Sequence, residues 1–370
     1  MESIVFFRPI TQYENLGDLV INQELLKLLP DNCSIVIEAK GIPEWFVKAL
    51  VADVKVESVI TEKKRFYKRV LQSIFGKTKT YFLDVPGHVF YDNADKSAWF
   101  RYLKMRVFSL IGIRYVRLGV SLGPYGKSAL TLETKKSKVY AFTGVREAYS
   151  HQYLRGVNIT KFTYFPDFGL CLPFLANTSL KTNSVGYSFR AGVVSADANA
   201  AENTKPIIDA MLKLKTHYEL TPVVQVNLDD DYMSLIAESI KPQHDAVTFL
   251  EHDQTAIFDA YSKAKFVVSN RLHVLIFALS RGAIAVPYID RKKHTKVTGV
   301  FEDIGLGDAI FDIRHDKDIE QHLINTEAFY CTLDVGGIFK TKKAEIESLL
   351  SQQVFVDHID ILKVADNSAC

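Results

Sequence analysis

Short apolar segments alternate with helical patterns along the whole chain. In the first half, the predicted strands cover residues 3–8, 33–39, 54–60, 80–85, 114–122, 139–144 and 161–165. Apolar positions at helical spacing predict helices over about 17–28, 42–51, 64–75, 96–110 and 145–154. In the second half, strands are predicted over 185–190, 222–228, 246–250, 265–269 and 283–289. Helices separate these strands too, and the last one covers about 340–352.

Alternation of this kind predicts parallel sheets that are covered by helices on both faces. Segment 166–184 contains prolines, Gly169 and a polar end, which is typical of a connection between domains. We therefore predict an N-terminal α/β domain over 1–165, a linker over 166–184, a C-terminal α/β domain over 185–352 and a tail over 353–370. Two doubly wound, Rossmann-like domains that face each other across a cleft form the GT-B architecture.

Composition narrows the class of protein. A length of 370 residues suits two domains, and 48% hydrophobic with 24% charged residues is ordinary for a globular chain. The net charge of +2 gives no reason to expect nucleic acid as a partner. The four cysteines lack metal-ligand spacing, so we expect no metal site and a reducing compartment. With no signal-peptide pattern and no apolar run of membrane-spanning length, we expect a cytoplasmic protein.

Two segments of the first half combine cations with aromatic residues. Segment 63–79 has seven basic residues and no acidic one, with apolar residues between them, and segment 98–108 repeats the mixture. This pattern predicts a surface that binds anionic lipid and would place the protein at the inner face of the cell membrane. The alternative is a pair of ordinary covering helices whose cations are solvated.

The strongest candidate site lies within residues 269–306. Arg271 and His273 stand where a buried strand passes into an apolar helix, and a basic run that includes Lys296 follows the next strand. Open α/β sheets bind ligands at such strand ends, where a helix N-terminus attracts anions. Arg can bind a carboxylate or phosphate with two parallel bonds, and His can transfer a proton near neutral pH. These residues predict a site for a small, highly charged anion. The alternative is an arginine in a surface ion pair and a histidine beside the core.

Seven separate motifs carry a resemblance to one family. They are YENLGDLVIN (13–22), SLGPYG (121–126), VREAYSHQYL (145–154), FPDFGL (165–170), SFR (188–190), the Arg-Leu-His segment at 271–273 and Lys296 after the following strand. In this order and over nearly the full length, the chain resembles the polysaccharide pyruvyl transferases. One segment departs from the family pattern, because DVPGHVF (84–90) has a single glycine where the family is glycine-rich. This departure concerns the acceptor side of the site.

The resemblance implies transfer of pyruvate from phosphoenolpyruvate to a sugar as a cyclic ketal. The acceptor would belong to a cell-surface polysaccharide or its lipid-linked precursor, and no cofactor or metal is needed. Arg190, Arg271, the backbone of Leu272 and Lys296 would bind the donor, and His273 would be the general acid. Lys296 has the alternative role of capping the helix that follows it.

On the opposite domain, Asp18 is the candidate base, and Asn15 and Gly17 form the acceptor-side turn. A turn and a helix N-cap are the alternative roles of Asn15 and Asp18. Arg146 and Glu147 can be read as support for the start of a helix. The acidic run 229–231 favours capping of a helix over metal binding.

Two other functions remain open on sequence grounds. A nucleotide-sugar-dependent glycosyltransferase of the same architecture would need an acidic residue for the ribose, for which Glu251 or Asp253 is the candidate. A non-catalytic subunit of a polysaccharide-synthesis complex would keep the fold without the chemistry.

Overall fold

The chain folds into two α/β domains. The computed structural model describes residues 2–76, 78–176, 183–192, 200–249 and 252–355. Two parallel sheets flanked by helices confirm the predicted pair of doubly wound, Rossmann-like domains of GT-B type. The domain boundaries stay predictions. Residues 177–182 of the predicted linker and 356–370 of the predicted tail lie outside the described residues.

The first domain has a parallel sheet whose strand order reverses once. The strands are β1 (Ser3–Phe7), β2 (Cys33–Glu38), β3 (Ser58–Ile60), β4 (Lys79–Leu83), β5 (Gly87–Val89), β6 (Arg114–Leu122), β7 (Phe142–Val145) and β8 (Thr163–Tyr164). The helices are α1 (Leu16–Lys27), α2 (Glu44–Leu50), α3 (Lys63–Ile74), α4 (Lys96–Leu110), α5 (Lys127–Ser137) and α6 (Ala148–Gly156). The order is β3-β2-β1-β4-β6-β7-β8, with β5 beside β6. Because the order reverses between β1 and β4, a crevice opens at the carboxyl ends of these strands.

The second domain repeats this plan. Its strands are β9 (Ser184–Ser188), β10 (Glu219–Val224), β11 (Val247–Thr248), β12 (Phe266–Ser269), β13 (Ile284–Ile289) and β14 (Phe311–Asp312). Its helices are α7 (Ala200–Leu214), α8 (Asp230–Ile240), α9 (Gln254–Lys263), α10 (Leu272–Ser280), α11 (Thr295–Asp303), α12 (Ile319–Tyr330) and α13 (Val335–Leu349). The order is β11-β10-β9-β12-β13-β14, so the reversal lies between β9 and β12.

The two domains share one hydrophobic core. Helix α10 is apolar over nearly its whole length and is buried from Val274 to Ser280. It packs against β12 and β13 of its own domain and against the 3-10 turn Phe168–Cys171, which in turn contacts α1. The largest core cluster accordingly includes Leu25, Phe168 and Ile276 together. This shared core fixes the N-termini of α1 and α10 opposite each other.

The last helix returns to the first domain. Lys342 Nζ in α13 lies 3.3 Å from the hydroxyl of Tyr164. The rings of Phe355 and Tyr81 are 4.8 Å apart. Within the described ranges, no helix is both long and apolar enough to cross a membrane.

Candidate active site

The reversal point of the second sheet brings two arginines together. Strands β9 and β12 are neighbours, with Ser188 opposite Ser269. One residue beyond Ser269, the Asn270 side chain accepts a hydrogen bond from Arg190 N and donates one to Arg190 O, both at 3.0 Å. Arg271 is the N-cap of α10. The Asn270 amide therefore fixes the spacing of the two strand ends beside the first N–H groups of α10, where Leu272 begins the helix.

Arg271 has an acidic partner. Its Nε contacts Oδ2 of Asp229, which is buried at the start of α8. Burial raises the pKa of Asp229, while Arg271 acts in the opposite direction. Asp229 makes no side-chain capping bond to α8, so the capping interpretation is wrong for this residue. Asp230 and Asp231 do lie in the first turn of α8, where acidic residues favour the helix.

His273 lies at the contact between the domains. A Cβ built on Gly17 would stand 2.6 Å from His273 Nδ1, so only glycine allows this approach. On the other side, the imidazole stacks on Phe277 with ring centroids 5.8 Å apart. The side chain keeps 15% of its surface exposed. His273 is thus held between Gly17 of α1 and Phe277 of its own helix, α10.

A single buried carboxylate joins His273 to the first domain. Oδ2 of Asp167 lies 3.5 Å from His273 Nε2 and 2.5 Å from Arg146 Nη1. Its Oδ1 accepts a hydrogen bond from Gly169 N at 2.8 Å. Burial alone would raise the pKa of Asp167, but Arg146 and His273 hold it well below its usual range. Asp167 is therefore ionised, and its carboxylate orients both the imidazole of His273 and the guanidinium of Arg146.

Arg146 and Glu147 take part in the same buried network. Arg146 Nε donates to Ser121 Oγ at 2.7 Å, and Ser121 Oγ donates to Glu147 Oε2 at 2.9 Å. Ser150 Oγ donates to the other oxygen of Glu147. Burial raises the pKa of Glu147. Glu147 occupies the N-cap of α6 without a side-chain capping bond, and its contacts join β6 to the first turn of α6 instead.

Several cations face one another across the cleft. Burial, together with the charges of Arg146, Arg190 and Arg271, lowers the pKa of Lys296 to about 7, against the influence of Glu147. Burial and the charges of Lys296, Arg146 and Arg190 lower the pKa of His88 to about 3, although its Nε2 lies 3.2 Å from Gly123 O. Arg146 and the uncharged His88 belong to the first domain, whereas Arg190, Arg271 and Lys296 belong to the second. The cleft therefore gathers cations of both domains, of which Arg146 and Arg271 have carboxylate partners.

The acceptor-side candidates lie in the turn before α1. Asn15 Oδ1 accepts a hydrogen bond from Gly17 N at 2.9 Å and caps the helix. Its backbone forms a bridge with Val226 of the second domain. The carboxylate of Asp18 accepts bonds from the Thr11 hydroxyl and, at 3.3 Å, from Gln12 N. These contacts give Asn15 the structural role considered as its alternative. Asp18 directly follows Gly17, the glycine that touches His273, in the first turn of α1.

Other candidate ligand groups have structural partners or lie outside the description. Asp253 caps α9 and accepts from Thr255 N at 2.8 Å and Ala256 N at 3.3 Å. Glu251 lies outside the described residues. In the part of the chain that the structure describes, no three His, Cys, Asp or Glu side chains are grouped as a metal site.

The family model for polysaccharide pyruvyl transferases matches residues 15–283, well over half of the chain. The chain belongs to the polysaccharide pyruvyl transferase family. Membership confirms the predicted resemblance and the predicted class, a polysaccharide-modifying transferase. The matched range includes Asn15, Arg146, Asp167, Arg190 and His273, and it ends before Lys296. No curated protein matches the chain in a direct comparison.

Solved structures with similar folds have other names. The UDP-GlcNAc 2-epimerase from Neisseria meningitidis, bound to UDP-GlcNAc, is 12% identical with a TM-score of 0.56, covering 95% of this chain and 100% of that one. The UDP-GlcNAc 2-epimerase from Methanocaldococcus jannaschii is 8% identical with a TM-score of 0.52, covering 94% and 99%. At these identities, the comparison shows only that this member of the pyruvyl transferase family has a similar fold.

Sequence reasoning missed the place of Asp167, Arg146 and His88 in the site of this family member, and it read Arg146 only as support for the start of a helix. Asp167 stood inside the FPDFGL motif, and Arg146 inside VREAYS, but the sequence gives no sign that they share an ion pair. His88 lies in the segment that departs from the family pattern, and only the pairing of β5 with β6 places it at the cleft. His88 lies inside the three-residue strand β5, which is too short to give a signal in the sequence.

Proposed function

We propose that this protein transfers pyruvate from phosphoenolpyruvate to a sugar as a cyclic ketal. The observation that carries the proposal is a cluster of cations in which Arg146, Arg190 and Arg271 act on Lys296. Arg146 shares the carboxylate of Asp167 with His273. Phosphoenolpyruvate carries a carboxylate and a phosphate on the same carbon atom, so it needs two cationic contacts that are close together. The fixed spacing of Arg190 and Arg271 through Asn270 supports such a pair.

The charge balance favours an anionic donor. Arg271 is compensated by Asp229, and Arg146 by Asp167. For Lys296 Nζ, no hydrogen bond or ion pair is found among the described residues, and burial together with repulsion from the neighbouring arginines lowers its pKa to about 7. A bound phosphate would relieve this repulsion and accept bonds from the N–H groups at the start of α10. The donor would therefore lie between Arg190, Lys296 and the N-terminus of α10.

His273 is the proposed general acid. It gives a proton to the methylene carbon of the donor, whose double-bond electrons form the new C–H bond and leave an oxocarbenium-like centre on the adjacent carbon. A sugar hydroxyl attacks this centre and loses its proton to a base. The C–O bond to phosphate breaks, phosphate leaves, and the neighbouring hydroxyl closes the ketal with loss of a second proton. Asp167 supports this role because it holds the imidazole at 3.5 Å.

The acceptor would bind from the side of the first domain. Asp18 is the proposed base, and Asn15 and Gly17 form the adjoining turn. The acceptor is a sugar of a cell-surface polysaccharide or of its lipid-linked precursor. No cofactor or metal takes part in these steps.

The test is incubation of the protein with phosphoenolpyruvate and candidate acceptors, followed by mass spectrometry for a pyruvyl ketal on galactose, mannose or amino-sugar units. Calorimetry measures donor binding in parallel. Binding of a uridine or guanosine diphosphate sugar, with none of phosphoenolpyruvate, would overturn the proposal in favour of a glycosyltransferase. If His273→Ala and Arg271→Ala leave cellular polysaccharide pyruvylation unchanged, the chain is a non-catalytic subunit. His217→Ala and Arg155→Ala, on exposed residues, are the matched controls.

A further inference from the structure

The outer side of α4 exposes an apolar stripe. Phe100, Leu103, Val107 and Leu110 follow one another at spacings of three, four and three residues, so they lie on one face of the helix. Their exposed fractions are 70%, 57%, 49% and 78%. The opposite face of α4 buries Ala98 and Met105 against the first sheet. A helix that packs on the sheet with one face and is apolar on the other needs a second apolar surface.

Helix α3 extends this surface. It buries Phe66 and Val70 against the sheet, while Leu71 and Phe75 point outward, with Phe75 90% exposed. Lys104 of α4 lies 4.1 Å from the ring centroid of Tyr67 in α3, so the two helices are side by side. An open groove of about 710 Å³ on α3 has an apolar floor and lysines at its rim. The basic-apolar face is defined here as Lys63, Lys64, Lys68 and Leu71 of α3, the adjoining Phe75, and Phe100, Leu103, Val107 and Leu110 of α4.

The charge of this face has a single sign. Helix α3 has five basic residues, α4 has four, and neither has an acidic one. Arg69 pairs with Glu57 at 2.8 Å. For Lys63, Lys64 and Lys68, no ion pair is found among the described residues. The nearest acids along the chain are Glu62 and Asp95, which precede the two helices. The face thus combines a net positive potential with exposed apolar side chains.

We propose that the basic-apolar face docks on an anionic phospholipid bilayer. Lysines at its rim meet lipid headgroups, and the aromatic and aliphatic side chains enter the boundary between headgroups and acyl chains. A second copy of the chain is a poor occupant because two faces of the same sign repel each other. A nucleic acid would use the cations but leave the stripe of α4 exposed to water. Only an anionic, apolar surface satisfies both parts of the face.

The position of the face gives docking a consequence that rests on the proposed function. Residues 90–95 connect β5, which carries His88, to the start of α4. The face is therefore linked to the acceptor side of the cleft by a short segment, and docking would bring the cleft near lipid-linked sugars. Docking itself does not depend on the reaction that the cleft performs, so the two proposals can fail separately.

Cosedimentation with vesicles tests the proposal. The full chain is mixed with vesicles of phosphatidylcholine alone or with 30% phosphatidylglycerol (about a third of the lipid, an ordinary anionic content). We expect partitioning to the anionic vesicles at least about tenfold stronger, falling as salt is raised from about 0.05 to 0.5 M. Lys63→Gln, Lys64→Gln and Lys68→Gln together should lower partitioning at least about tenfold, because each lysine near the surface contributes to the attraction.

A second variant tests the apolar part. Phe100→Ser, Leu103→Ser and Leu110→Ser should weaken the binding that persists at high salt. Controls are Leu212→Ser, Leu235→Ser and Ile324→Ser, which replace exposed apolar residues of the second domain, and Lys292→Gln with Lys293→Gln for charge. Thermal unfolding verifies that each variant is folded.

Two outcomes would overturn the proposal. One is equal partitioning of the wild type to both kinds of vesicle. The other is concentration-dependent dimerisation in light scattering that the α4 variant abolishes, without vesicle binding, which would assign the face to self-association. Turnover of a water-soluble acceptor by the lysine variant should equal that of the wild type. If the wild type also fails to convert the water-soluble acceptor, this result would count against the proposed reaction and not against docking.

Discussion

Gly17 and His273 come from different domains and lie in direct contact, with no room for a Cβ on Gly17. The contact sets the position of the imidazole from the side of the first domain. Asp167 sets it from another side through a charged contact to Nε2. The general acid proposed for this reaction is therefore held by residues outside its own domain, and its geometry depends on how the domains meet.

Replacement of Gly17 by alanine should separate positioning from stability. The new Cβ would stand 2.6 Å from His273 Nδ1, so the imidazole must move. We expect turnover to fall about 10²-fold, while alanine's better helix propensity offsets part of the strain on stability. Product formation and Tm are the measurements. Gly156→Ala is the control, because its Cβ would meet open space. Wild-type turnover in Gly17→Ala would show that the contact is not needed for the reaction.

His273 and Arg271 should differ in their kinetic signatures. His273→Gln should lower kcat by about 10²–10⁴ with a small effect on donor affinity, because the proton transfer is lost and the cations remain. Arg271→Ala should mainly weaken phosphoenolpyruvate binding and leaves Asp229 unpaired. Steady-state kinetics and calorimetry distinguish the two effects, with His217→Gln and Arg155→Ala as controls. Equal losses of kcat and affinity in both variants would argue against separate roles.

Asp167→Asn should destabilise the protein and make its free energy of unfolding depend less on pH in the acidic range. Arg146 would be left buried without its carboxylate partner, at a cost of about 3–5 kcal/mol in the free energy of unfolding. The pKa of Asp167 lies below its usual range in the folded state. Its contribution is therefore complete above the unfolded pKa of about 4 and is lost as pH falls through the folded value.

Urea unfolding at pH 7 and at pH 3 measures this effect. The difference between wild type and Asp167→Asn should shrink at the lower pH. Asp245→Asn, at an exposed carboxylate, is the control. A constant difference at both pH values would mean that the ion pair does not account for the loss.

Lys296 should take up a proton when the donor binds. Its pKa of about 7 in the free protein means that it is mostly neutral at pH 8, and a bound phosphate would raise this pKa. The donor phosphate is already ionised at that pH, so it contributes little. Calorimetry in buffers of different ionisation enthalpy should detect the uptake in the wild type and not in Lys296→Met. His88, whose pKa is about 3, is neutral at pH 8 in the free protein.

The same substitution has a predicted effect on stability. A lysine whose folded pKa is depressed destabilises the folded state below that pKa, and the penalty fades as pH rises towards the unfolded value of about 10.4. Lys296→Met should therefore raise Tm more at pH 6 than at pH 9. Lys292→Met, on an exposed lysine, should change Tm at neither pH.

The strand pattern predicted the two parallel sheets, and the strand-end motifs pointed to Arg190 and Arg271, whose backbones the structure joins through Asn270. Helix α5 (Lys127–Ser137) was not predicted. Its buried face includes Glu133 and Ser137 besides Ala129 and Leu132, so its apolar periodicity is weak. Glu133 is buried because it pairs with Arg117 at 2.5 Å, a partner distant in sequence. The short strands β5 and β14 have three and two residues, too few for a periodic signal.

The first-domain half of the site was harder to predict for a different reason. Contacts such as those of Asp167 with His273 depend on how two domains dock, and no local pattern encodes docking. The motifs identified the right segments, but the role of Arg146 as an anchor for Asp167 follows only from three-dimensional proximity.

The bridge between Asn15 and Val226 has a consequence for how substrates enter. Leu16 N donates to Gln225 O at 3.2 Å, and Asn227 N donates to Glu14 O at 3.1 Å, so the main chains of the two domains are joined there. Rotation about this joint would open the cleft while these main-chain hydrogen bonds stay intact. Gly17, beside this joint, would shift little, whereas Arg146 and Lys296, which belong to different domains, would move apart. Opening would then disperse the opposing cations of the two domains, and donor binding would draw them together again.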